Sequence, residues 1–339
     1  MLVRIILMVA MVPLMGGHGG PPPLTGGPPG QRPNPPLVWF TPGPGTLDML
    51  RLFEEPGEWN TARERISVFK FYRSQLLDTG DPMVGPNTYD ALRAADAFRK
   101  LAKTWRKRIA IEVAVVKDYS CTEDMSGTDA EIRNALKAVA AVRAAGGEVQ
   151  YFALDEPFTA TVQSPRCGGR DLRATLARLD RFFAHVRLAA PRVEIGLIEQ
   201  FPISSGTEIL DYVRQMKARG IRPAFFHLDA DLNALPKGSD RFEKEIPPLA
   251  AALEDEGIPF GIIFFGHSGE SDSDYYDDAL DFVERAGETL SDLPRDIVFQ
   301  SWAESKTGRR ITPANLPEWE RGTHTALINA GLDTLRQRR

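Results

Sequence analysis

Short runs of apolar and β-branched residues alternate along this chain with longer stretches of helical period. Eight runs recur, at Leu37–Thr41, Ser67–Tyr72, Arg108–Val116, Val149–Leu154, Val193–Ile198, Ala224–Leu228, Phe260–Phe265 and Ile297–Trp302. Each has the length and continuity of a buried strand. Between them, Ala130–Ala145 places Ile132, Leu136, Val139 and Val142 on one helical face and stops at Gly146-Gly147, a C-terminal glycine signal. Leu172–Leu188, Ile209–Ala218, Asp274–Gly287 and Thr323–Leu335 show the same amphipathic spacing, and Gly220 closes the second of these. One strand and one helix about every 30 to 45 residues, eight times over, predict an α/β chain closed into a single-domain (β/α)₈ TIM barrel over residues 37–337. No Gly-x-Gly-x-x-Gly follows the first run, which argues against an open dinucleotide-binding sheet.

The start of the chain breaks this rhythm. Residues 1–18 carry one Arg and the apolar stretch Ile5–Val12, resembling a short secretion signal that is too brief to span a bilayer. Residues 19–36 are dominated by Gly, Pro and polar side chains, a composition that reads as a disordered spacer. The expected location is therefore secreted or periplasmic, with no stable membrane insertion. Such a compartment would allow a disulfide between Cys121 and Cys167, which fall beyond the third and fourth strands. A net charge of −5 supplies no basic face for nucleic acid.

Parallel barrels present their chemistry at the C-terminal strand ends, so those positions are read in order. The second strand offers Lys70 and Tyr72 on one face, and the third carries Glu112 inside its run. The fourth ends in Asp155-Glu156-Pro157, two adjacent carboxylates where Pro stops the ladder. The fifth ends in Glu199. His227, Asp229 and Asp231 share one face of the sixth, His267 follows the seventh, and Gln300, Trp302 and Glu304 share one face of the eighth. Carboxylates and aromatics with few histidines suit glycoside hydrolysis, in which one carboxylic acid protonates the leaving oxygen and a second carboxylate attacks or activates water.

At this point the chain resembles the barrel glycoside hydrolases, in particular the clan whose general acid/base is a Glu ending strand four, usually as Asn-Glu-Pro. Asp155-Glu156-Pro157 is similar to that motif with Asp for Asn, and Trp302 resembles the Trp such enzymes place beneath the sugar. The resemblance implies that Glu156 is the acid/base. It departs at strand seven, where the clan places its nucleophilic Glu and this chain has Phe264-Phe265-Gly266-His267-Ser268. The chitinase-type Asp-x-x-Asp-x-Asp-x-Glu is absent as well. The second catalytic carboxylate is therefore open between Glu199, Asp229 and Glu304.

The expected activity is hydrolysis of a poly- or oligosaccharide without a cofactor or a required metal. Asp155, Lys70, Tyr72, His227, Asp231, His267, Gln300 and Trp302 are the expected substrate contacts. His227, Asp229, Asp231 and His267 carry metal-ligand chemistry, but the His-x-His of metal-dependent barrels is missing from strand one. Two other readings stand beside the hydrolase: a carbohydrate-binding barrel without catalysis, and an aldolase or lyase that forms a Schiff base at Lys70.

Overall fold

The computed structural model describes residues 35–77, 79–116, 124–163, 172–266, 271–302 and 312–338. Pro36–Arg339 is one compact unit built on eight parallel strands, β1 (Leu37–Thr41), β2 (Val68–Tyr72), β3 (Arg108–Val113), β4 (Val149–Asp155), β5 (Glu194–Phe201), β6 (Phe226–Ala230), β7 (Phe260–Phe264) and β8 (Asp296–Gln300). They follow one another around a closed barrel, and β8 returns to β1 in the register Leu37↔Asp296 to Thr41↔Gln300. The period-two alternation divides each strand between two environments. On β2, Phe69 and Phe71 face outward into an aromatic layer with Phe40, Phe53 and Phe98. Lys70 and Tyr72 face inward.

The helices match the amphipathic stretches to within a few residues, at Ser126–Ala144, Arg173–Ala189, Gly206–Ala218, Asp272–Thr289 and His324–Gln337. Ser205 caps the third of these in a reciprocal box with Glu208, and Ser271 and Thr323 cap the last two. A further helix, Arg241–Asp255, carries Pro247 and Pro248 in its interior. A proline pair reads in sequence as a helix break, yet Phe242, Ile246, Leu249 and Leu253 are buried at helical spacing and hold it together. The chain returning from β8 is tied across β1, since Asp48 accepts the Asn315 and Leu316 N–H groups at 2.7 and 3.0 Å.

Toward the N-terminal strand ends the interior is filled by packed rings. Trp39, Tyr151, Phe225 and His227 pack ring on ring with centroids 4.6 to 5.8 Å apart. Gly196 makes room for them, because a Cβ there would stand 2.3 Å from the Phe225 ring. This floor closes the barrel from below, so ligand can approach its interior from the opposite end.

Candidate active site

A cavity of ≈ 330 Å³ opens at the C-terminal ends of the strands. Its wall takes one inward residue from each of seven successive strands: Tyr72, Glu112, Asp155, Ile198, Asp229, Ile263 and Gln300. The turn after β2 adds Arg73, Ser74, Asp81 and Met83, and Glu156 and Trp302 stand just beyond β4 and β8. A second cavity of ≈ 300 Å³ adjoins it through Ser74 and Asp81. Around the barrel the acidic positions are interrupted by apolar ones, with Ile198 between Asp155 and Asp229 and Ile263 between Asp229 and Gln300. Arg73, the basic side chain of the wall, is paired with Glu131 at 3.2 Å. Trp302 leans on Phe265 with ring centroids 4.4 Å apart, fixing a partly exposed aromatic face at the rim.

Glu156 is placed there by an unusual backbone. Its N–H still bonds Ile198 O at 3.0 Å, while its C=O accepts Ala160 N–H at 2.9 Å and opens the helix Pro157–Gln163. Between these two commitments its φ is 49°. A left-handed conformation costs a residue with a Cβ about 1–2 kcal/mol, and the following Pro157 disfavours helical conformations at this residue further. Asp155 and Glu156 are consecutive, so alternation alone would aim only one of them inward. The left-handed turn brings both to the cavity wall.

Lys70 lies beneath this wall with no exposed surface. Its Nζ donates to Glu112 Oε2 and to Gln300 Oε1, each at 2.5 Å. Gln300 Nε2 in turn donates to Glu112 Oε2 at 2.9 Å and to Tyr72 Oη at 3.1 Å, and the Tyr72 hydroxyl donates to Ser301 O at 3.2 Å. Burial, reinforced by the charge of Glu112, pushes the Tyr72 phenol well above its ordinary range and keeps it a neutral donor. Glu112, visible in the sequence as a charge inside an apolar run, is a wall residue that reading strand ends passes over. Its signal is register, because Tyr72 pairs with Glu112 and sets the two polar strands side by side.

Other expected site residues lie elsewhere. Glu199 does not line the cavity: Ile198 holds the inward position of β5, and Glu199 faces outward, fully buried. There it accepts the Phe158 and Thr159 N–H groups at 2.7 and 2.8 Å and the Thr159 hydroxyl at 3.0 Å, capping the helix that follows Glu156. Burial raises its carboxyl to about 8, against the lowering effect of those hydrogen bonds. His227 belongs to the floor, with Nε2 2.9 Å from Asp296 Oδ2 and no exposed surface. Burial holds its pKa below the ordinary value despite that carboxylate. Asp231 caps the turn Leu232–Ala234 by accepting the Asn233 and Ala234 N–H groups at 3.0 and 3.1 Å. Among the described residues no three His, Cys, Asp or Glu side chains converge as a metal-binding group. Glu304, His267, Cys121, Cys167 and residues 1–34 lie outside the described residues.

No protein-family model matches this sequence, and neither does any curated protein sequence. Solved structures do match its fold. A psychrophilic glycoside hydrolase family 10 endo-β-1,4-xylanase superposes with a TM-score of 0.53 at 11% identity, over 87% of this chain and 95% of its own. Native xylanase 10B from Thermotoga maritima gives 0.51 at 8% identity, over 89% and 95%. The GH10 xylanase of Thermobacillus composti gives 0.50 at 10%, over 88% and 96%. The chain thus has the (β/α)₈ fold of these glycoside hydrolases, as its sequence rhythm and strand-four motif imply.

Proposed function

We propose that this protein is a glycoside hydrolase acting on a poly- or oligosaccharide, with Glu156 as general acid/base and Asp229 as its partner carboxylate. The observation that carries the reading is the meeting of Glu156, Asp155 and Asp229 with the aromatic face of Trp302 around one cavity at the C-terminal mouth. Of the three carboxylates open in the sequence, Asp229 is the described one that lines this cavity, and it is only 3% exposed. Glu156 protonates the leaving glycosidic oxygen. Asp229 attacks the anomeric carbon or takes a proton from the water that does. Ile198, Ile263 and Trp302 offer an apolar surface to a sugar ring. Lys70 has no exposed surface and is ion-paired, which counts against a Schiff base there.

The test is a screen of neutral polysaccharides with wild type and Glu156→Gln. Release of reducing ends by the wild type, lost in the variant with its fold intact, is expected. NMR of the first anomer formed then assigns retention or inversion, and with it the role of Asp229. Glycan binding without turnover in the wild type would favour the non-catalytic barrel. The leader-like segment and the cysteine pair support export with a Cys121–Cys167 bridge, checked by N-terminal sequencing of exported protein and by mass before and after reduction.

A further inference from the structure

We infer that Glu112 is a substrate-contacting carboxylate of the cavity, and that Lys70, Gln300 and Tyr72 are the residues that position it. The inference rests on the carbohydrate reading above and concerns which wall residue touches the sugar. A primary amide has two N–H hydrogens and a phenol has one. Those of Gln300 go to Glu112 and Tyr72, and that of Tyr72 goes to Ser301 O. Lys70 is sealed behind them. The donors of the Tyr72 and Gln300 side chains, which the sequence offers as sugar contacts, are thus engaged within the protein, and Lys70, bonded to Glu112 and Gln300, has no surface to offer a ligand.

Glu112 differs. Among the described residues both bonds it accepts fall on Oε2, from Lys70 and Gln300. The residue is 8% exposed and lines the cavity, so Oε1 is the oxygen presented there. An ionised carboxylate only accepts hydrogen bonds. The matching ligand group is a donor, a hydroxyl of a neutral sugar, and an anionic substituent at that position is repelled. A buried ion pair can often be replaced by apolar residues without loss of stability, so stability alone does not require these charges. A fixed acceptor aimed into a cavity gives them a use.

The experiment measures binding by calorimetry, using neutral xylo-, cello- and manno-oligosaccharides and the Glu156→Gln chain, so that no turnover is needed. Glu112→Gln is expected to lower affinity at least tenfold, ~1.4 kcal/mol. Lys70→Met is expected to lower both affinity and melting temperature, because Glu112 is left as a buried charge without its counter-ion. The double variant Lys70→Met/Glu112→Leu removes both charges. It is expected to recover the melting temperature and not the affinity, which a purely structural pair would not do. Full affinity in the double variant would overturn the inference while leaving the carbohydrate reading intact. Failure of the parent chain to bind any member of the panel would overturn both.

Discussion

The mouth and the floor of this barrel are made by the same alternation of side chains, and they treat polar groups in opposite ways. On the floor, His227 and Asp296 are buried against each other among Trp39, Tyr151 and Phe225. At the mouth, Glu112, Asp155, Glu156 and Asp229 stand around a cavity. Like charges gathered around one cavity repel one another, whereas the floor carboxylate Asp296 is paired with His227, so stability alone does not call for the mouth. The contrast is why the proposed chemistry is placed at the mouth, apart from what holds the barrel closed.

Substitutions at the two ends should therefore fail in different assays. Asp229→Asn is expected to reduce hydrolysis by about 10²–10⁴-fold, the scale of a lost acid/base group, while its urea midpoint stays near wild type. Trp39→Ala on the floor should do the reverse. Loss of a large buried aromatic costs about 3–5 kcal/mol, read by urea unfolding, with the rate per folded molecule unchanged. If Trp39→Ala abolished turnover at full folding, the division of labour would be wrong.

Acid gives the next largest contrast, because it titrates the buried interior as well as the mouth. His324 is fully buried against Phe40, neither ring nitrogen has a hydrogen-bond partner among the described residues, and burial lowers its pKa to about 3. The unfolded chain binds a proton near pH 6.5 that the fold refuses, so the contribution of His324 to stability is complete above that pH and is lost as pH falls toward 3. The loss reaches about 3 kcal/mol at pH 4, and His324→Phe should abolish it in urea titrations run at pH 4 and 7. The smallest effect is expected from Asp296→Asn. It keeps the shape of the floor but weakens the bond to His227, at about 1–2 kcal/mol, and hydrolysis per folded molecule should not change.

The barrel was legible because its signal is repeated: eight buried runs separated by amphipathic stretches leave little other topology. The candidate site was legible as a place where alternation could be followed, since Tyr72, Asp155, Asp229, Gln300 and Trp302 all meet at the cavity. Alternation also explains two displacements. Glu199 follows the inward Ile198 and so faces the helix side, where its carboxyl serves as a cap. His227 shares a face with Asp229 but sits one step deeper, and depth depends on barrel stagger that a single strand does not record. The proline pair hid the helix Arg241–Asp255, since local rules cannot weigh the burial of Phe242 and Leu253.

The left-handed backbone at Glu156 carries a consequence for the history of this site. Backbone preference at that position pulls toward glycine, which adopts such a φ without penalty. A lineage that kept the barrel but no longer needed the carboxylate would drift in that direction, gaining comfort in the turn with each generation that tolerated the loss. The side chain at position 156 would then act as a record of use. With Glu156 in the acid/base role proposed above, relatives with Glu there should cut glycans, and relatives with Gly should not.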